Sequence, residues 1–158
     1  MKSLLYFLTR TSGQATPLIL RLTVALVFFP HGAQKVLGWF GGYGFTGTMG
    51  FFTGKMGLPY AIALLPVLTE FLAPFALVAG FFTRIAALAT GVNMFVAIVL
   101  VHSANGFFMN WYGNQKGEGF EYHLLVIGIA LALVVQGAGR LSADAAIAKQ
   151  TGPGNESA

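Results

Sequence analysis

Long apolar runs interrupted by short polar clusters dominate this chain, and the runs set its architecture. Residues 17–37, 58–80, 82–104 and 120–137 are each close to the ~20 mostly apolar residues that a membrane-crossing helix needs. Pro17 opens the first run, where a missing N–H costs nothing, and Gly80 and Gly137 stand where helices tend to stop. The pattern predicts an all-α integral membrane four-helix bundle over residues 17–147. Residues 1–16 read as an interfacial segment, with Leu4, Leu5, Phe7 and Leu8 dipping into the headgroup region. The first run reads as retained rather than as a cleaved leader: the apolar stretch after Lys2 is short, and the longer one contains His31 and Lys35. Residues 148–158, ending in TGPGNESA, read as a disordered tail. Just before it, Ser142 could cap a short helix with Asp144 in its first turn.

The two longer loops are aromatic. Residues 38–57 combine eight glycines with Trp39, Phe40, Tyr43, Phe45, Phe51 and Phe52. Phe45, Met49, Phe52 and Met56 fall on one helical face, which predicts a short surface helix in this first outer loop. Residues 105–119 carry Phe107, Phe108, Trp111 and Tyr112. An aromatic belt at the headgroups accounts for both loops, and a lid over a lipophilic pocket is the sharper alternative.

Composition agrees with the pattern. Hydrophobic residues make up 56% of the 158 and charged residues only 9%, with a mean hydropathy of +0.72. So few charges cannot cover an apolar surface of that size in water. No cysteine is present, which excludes disulfide and thiol chemistry within the chain. The net charge of +4 does not indicate nucleic acid, because the basic residues punctuate apolar runs and so report topology. With four crossings both ends share a side. That side holds Lys2, Arg10, Arg21, Arg84, Arg140 and Lys149, against Lys35, Lys55 and Lys116 opposite. Six against three predicts cytoplasmic termini, N-in and C-in.

Ionisable groups at membrane depth cost about 2.5–3.5 kcal/mol each on insertion scales, so each needs a partner or a purpose. Glu70 lies midway along the second run, between Pro66 and Pro74. Pro74 has no N–H to offer the carbonyl of residue 70, so an acid and a free backbone oxygen share one depth. Such a position must face protein or trapped water. Counted at 1.5 Å per residue from the run ends, Arg21 and Lys35 are each roughly 10 Å from that level, and His31 about 5 Å. His31 is therefore the predicted partner of Glu70, and Gly32 would let a neighbouring helix approach. Gln34 and His102 lie toward the outer side, as do Asn105, Glu121 and His123. No metal site is predicted: on ideal helices Asn93 and His102 point to opposite faces, as do Glu121 and His123.

In order along the chain stand Arg21, PHGAQK at 30–35, a glycine-rich stretch, TEF at 69–71, GFFTRIA at 80–86 and GRLSADA at 139–145. This ordered set resembles the DoxX family of small membrane proteins. The resemblance implies a four-helix bundle in the plasma membrane and a link to redox metabolism, with relatives tied to quinone-coupled oxidation or to oxidant and quinone resistance, often within larger assemblies. Residue by residue it supports Arg21, His31, Lys35, Glu70 and Arg84. The long aromatic loops match no family pattern.

The expected function is a subunit of a quinone-linked redox system, without a redox centre of its own. Glu70 and His31 would be the catalytic pair, and Lys35, Arg21, Gln34 and His102 the substrate-binding groups. Arg84, Pro66 and Pro74 would serve structure and topology. A membrane quinone is the implied ligand. The implied partners are the bilayer, a soluble or membrane oxidoreductase, and a second copy of the chain. A proton-conducting or solute-transporting oligomer and a non-catalytic scaffold are the alternatives.

Overall fold

The structure, a computed structural model, describes residues 2–152. Helix α1 spans Lys2–Thr9 and α2 Thr16–Val36. After a short turn, α3 (Gly44–Gly50) runs into a π-helical turn at Phe51–Lys55. Helix α4 spans Tyr60–Ala79 and α5 Thr83–Ala97, which continues through a π turn at Ile98–His102 and a 3-10 turn at Ser103–Asn105. Helices α6 (Glu121–Gln136) and α7 (Ala143–Thr151) complete the chain. Among the described residues every regular element is helical.

Three of these helices are long and apolar enough to cross a membrane: Thr16–Val36, Tyr60–Ala79 and Thr83–Asn105. The 120–137 run forms α6, an apolar helix of 16 residues. Their outward faces are greasy: Leu26 is 77% exposed and Val135 75%, with Leu65, Leu72, Phe95 and Leu125 also exposed. Arg21, Glu70, Thr90 and His123 are buried instead. This inversion of the soluble pattern suits a lipid surround, where outward leucines cost nothing and inward polar groups must find each other. The molecule is a multi-pass membrane protein.

Helix α2 packs on α4, α4 on α5, α5 on α6, and α6 returns to α2. Small residues make the close contacts. Ala63 and Val67 of α4 are fully buried, and a Cβ on Gly91 of α5 would meet the Ala130 Cβ of α6 at 3.2 Å. The main core joins Val24, Ala25 and Phe28 to Leu77, Ala87, Met94, Val126 and Leu133. Met49 of α3 packs with Ala63 and Val67, so the first loop's helix docks on the bundle. Thr48 is buried beside Met49, and the π turn that follows breaks the face expected for Phe45, Met49, Phe52 and Met56.

The end of the bundle where α1 and α7 meet is fastened by three charged side chains. Arg21 is 1% exposed, and its five N–H donors point at five carbonyls. Nε donates to Ala138 (3.1 Å), Nη1 to Leu77 (2.7 Å) and Val78 (2.5 Å), and Nη2 to Arg140 (3.4 Å) and Leu141 (2.5 Å). Arg84 donates to the carbonyls of Val134, Val135 and Arg10. Both guanidinium groups thus satisfy carbonyls at helix C-termini, where the backbone dipole favours a cation. Asp144 does the converse. Its Oδ1 accepts from Phe82 N–H (2.7 Å) and Oδ2 from Thr83 N–H (2.9 Å), at the start of α5. Phe82 holds φ +45, a conformation that disfavours a side chain and that these bonds hold in place.

Two sequence expectations change here. Ser142 does cap α7, accepting from Ala145 N–H at 3.2 Å, but Asp144 serves α5 rather than its own helix. Helix α7 also runs to Thr151, so residues 148–151 are helical where a tail was expected; residues 153–158 lie outside the described residues. Asp144→Ala should lower the thermal midpoint of the detergent-solubilised protein, corresponding to about 1–2 kcal/mol. An unchanged midpoint would show that the α5 start does not need this carboxylate.

Candidate functional site

Glu70 sits halfway along α4, 7% exposed, and is held from two other helices. Its Oε2 lies 2.5 Å from Lys35 Nζ of α2, and its Oε1 accepts from Asn93 Nδ2 of α5 at 3.1 Å. This is the one ion pair within 4 Å among the described residues. An isolated carboxylate in an apolar interior would neutralise itself; one bonded by an ammonium and a carboxamide can keep its charge.

The partner is Lys35, not the predicted His31, and the helix crossing explains why. A Cβ on Gly32 would lie 2.3 Å from the Glu70 carbonyl oxygen and 2.7 Å from Phe71 Cα, so the two helices touch at that level. The carbonyl that Pro74 leaves without its helical donor faces this glycine, close enough for a Cα–H···O contact. The level of Glu70 is thus set by Gly32. Lys35 starts only about 4.5 Å above it, and helical side chains lean back toward the N-terminus. His31 is about 100° round the helix from Gly32, is exposed, and makes no hydrogen bond or ion pair with Glu70.

The other expected ligand-binding groups have different work. All of Arg21's donors are committed to the clasp, leaving none for a substrate. Gln34 donates to the Phe40 carbonyl at 3.2 Å and pins the turn after α2. His102 packs its ring on His123 of α6, with centroids 4.0 Å apart, and its Nδ1 is 2.8 Å from the Glu118 carbonyl oxygen. The π turn at Ile98–His102 changes the helical phase, so the opposed faces expected for Asn93 and His102 on an ideal helix no longer hold.

Three residues outside the predicted set join the site. Asn93 completes the Glu70 cage. Tyr122 and His123 of α6 each carry a buried polar atom, Oη and Nδ1, with no hydrogen-bond partner in the protein. Tyr122 lies within electrostatic reach of Glu70, and its ring packs edge-on against His123. The signal for Asn93 was a lone carboxamide in an apolar run; nothing marked Tyr122 apart from the interfacial tyrosines. No cluster of three His, Asp or Glu suited to a metal occurs among the described residues. The loop aromatics Trp111 and Tyr112 are exposed.

The fold and this interior polar cluster define a helical membrane protein built around an intramembrane ion pair. Comparison with known proteins gives the family: the DoxX profile matches residues 16–103, and the chain belongs to the DoxX family. Its relatives include an "Uncharacterized protein" of Haemophilus influenzae, 31% identical over 84% of this chain and 83% of the relative. Another is the "Putative oxidoreductase CatD" of Bacillus subtilis, 32% identical over 89% of this chain and 93% of the relative. No solved structure matches the chain. Within the matched span lie Arg21, Lys35, Glu70, Asn93 and Arg84.

Proposed function

We propose that this protein is a DoxX-type subunit of a quinone-linked redox system and that the Lys35–Glu70–Asn93 cluster is its working site. In this reading α2, α4, α5 and α6 all cross the plasma membrane, and both termini are cytoplasmic. The observation that carries it is a carboxylate kept inside the protein at mid-span by a lysine and an amide from two neighbouring helices. Intramembrane ionisable groups mark ligand or proton pathways. The curated name of the Bacillus subtilis relative points in the same direction.

The groups suit a dicarbonyl ring. The Lys35 ammonium and the Tyr122 hydroxyl are donors for its two oxygens, and the buried, unpartnered Tyr122 Oη and His123 Nδ1 would gain the partners they lack. Reducing a quinone takes up two electrons and two protons. In this reading Glu70 would hold and pass a proton, and the electrons would come from a partner oxidoreductase. His31, on the exposed face, makes no hydrogen bond to this set but lies within electrostatic reach of Lys35 and Glu70.

A second reading, proton conduction by an oligomer, draws on the tilted, closely packed His102–His123 pair, which leads from Tyr122 toward the Glu118 loop. One experiment separates the two. In native membranes Glu70→Gln and Lys35→Met should reduce quinone turnover about 10²-fold while leaving protein yield unchanged. Proton flux lost without any change in redox turnover selects the second reading. Full turnover in Glu70→Gln, with only stability reduced, would leave a scaffold and remove the site.

A further inference from the structure

Helices α1 and α7 pack together across the clasped end of the bundle. Between them and the 10–13 and 139–141 segments lies a cleft of about 440 Å³. Arg10 and Arg140 line it, and no acidic side chain among the described residues does. Ser12, also in the lining, has a buried Oγ with no hydrogen-bond partner. The remaining wall includes Tyr6 and Leu141. Two arginines beside a shielded hydroxyl form an anion-binding concavity.

The rim says which anion. Leu4 and Phe7 of α1 are exposed on one face, with the Arg10 guanidinium 5.0 Å above the Phe7 ring. Leu141 is 78% exposed at φ +55, a conformation unfavourable for leucine and fixed by the Arg21 bond to its carbonyl. An exposed apolar rim interleaved with arginines is the signature of a surface lying at the headgroup layer of a bilayer. We propose that this cleft binds the phosphate of an anionic phospholipid headgroup, with Leu4, Phe7 and Leu141 seated among the acyl chains beside it. The assignment does not depend on the chemistry at Glu70.

The test uses the full chain in neutral detergent, with its thermal midpoint followed as lipid is added. Phosphatidylglycerol should raise the midpoint and phosphatidylcholine should not. The side chains of Arg10 and Arg140 take no part in the clasp, which uses only their carbonyls. Arg10→Gln and Arg140→Gln should therefore keep the basal midpoint and each weaken phosphatidylglycerol binding about fivefold. Lys55→Gln, in the first loop, should leave binding unchanged. Equal shifts from both lipids, or an undiminished shift in the Arg10→Gln/Arg140→Gln double variant, would overturn the proposal. An equal shift from inorganic phosphate at the same concentration would also overturn it, by assigning the cleft to a free anion.

Discussion

Arg21→Met is expected to abolish recovery of folded protein from membranes. The methionine fills much of the same volume but donates nothing, so the carbonyls of Leu77, Val78, Ala138, Arg140 and Leu141 lose their shared donor. A buried carbonyl without a partner costs about 1–3 kcal/mol. Leu77 keeps a bond from Gly80 N–H, and the Val78, Arg140 and Leu141 contacts are partly buried, yet the summed loss is still a large share of the stability of an ordinary domain, about 5–15 kcal/mol. The damage would be concentrated where the α4–α5 turn meets the 138–141 segment, because Gly80 lies against both the Arg21 guanidinium and Ser142. Arg21→Lys should rescue little, since one ammonium cannot reach carbonyls spread in the plane of a fork. Yield of monodisperse protein in detergent, with protease resistance of the 137–142 segment, measures this. Wild-type yield and resistance in Arg21→Met would mean that the clasp is dispensable.

Gly32→Ala is the second large effect, and it acts on the site rather than the end of the bundle. The added methyl would meet the Glu70 carbonyl oxygen at 2.3 Å and Phe71 Cα at 2.7 Å, both backbone atoms that no rotamer change can move. The helices must separate or slide, at about 1–3 kcal/mol or more, and Lys35 is carried away from Glu70. Thermal stability and quinone turnover should fall together. Gly128 is the internal control, because nothing lies within 4 Å of its added Cβ. Gly128→Ala should be neutral or mildly stabilising, since glycine costs a helix up to about 1 kcal/mol relative to alanine. If Gly32→Ala behaves like Gly128→Ala, α2 and α4 do not touch at this level.

What the sequence discloses and what it hides divide along physical lines. Helix positions are legible because apolar length is a one-dimensional quantity, and the ends of α2, α4 and α6 lie within two residues of the apolar runs. The inward position of Glu70 is legible for a similar reason, since a carboxylate at mid-span has few tolerable surroundings. Its partner is not legible. Choosing between His31 and Lys35 required the level at which α2 meets α4, and that level is set by a contact at Gly32 rather than by distance from the run ends. The family motifs were visible as residues but silent on role. Arg21 looked like a substrate-binding cation until the carbonyls of two distant segments converged on it. Asp144 sits in the first turn of one helix yet serves the start of another, a relation that no local pattern records. Asn93, Tyr122 and His123 became neighbours of the Glu70 region only through packing.

The π turn between Ile98 and His102 has a consequence for how α5 is read along its length. One residue advances an ordinary helix by about 100°, so an extra residue in a turn re-aims everything beyond it. Below the turn, Asn93 addresses α4; at its far end, His102 addresses α6. A single rod therefore has two independent bearings, joined by a swivel of five residues. Losing one residue within that swivel would straighten the rod and swing the imidazole off its packed neighbour while leaving the amide below untouched. The number of residues in this segment, more than their side chains, is what couples the buried acid's layer to the outer loop.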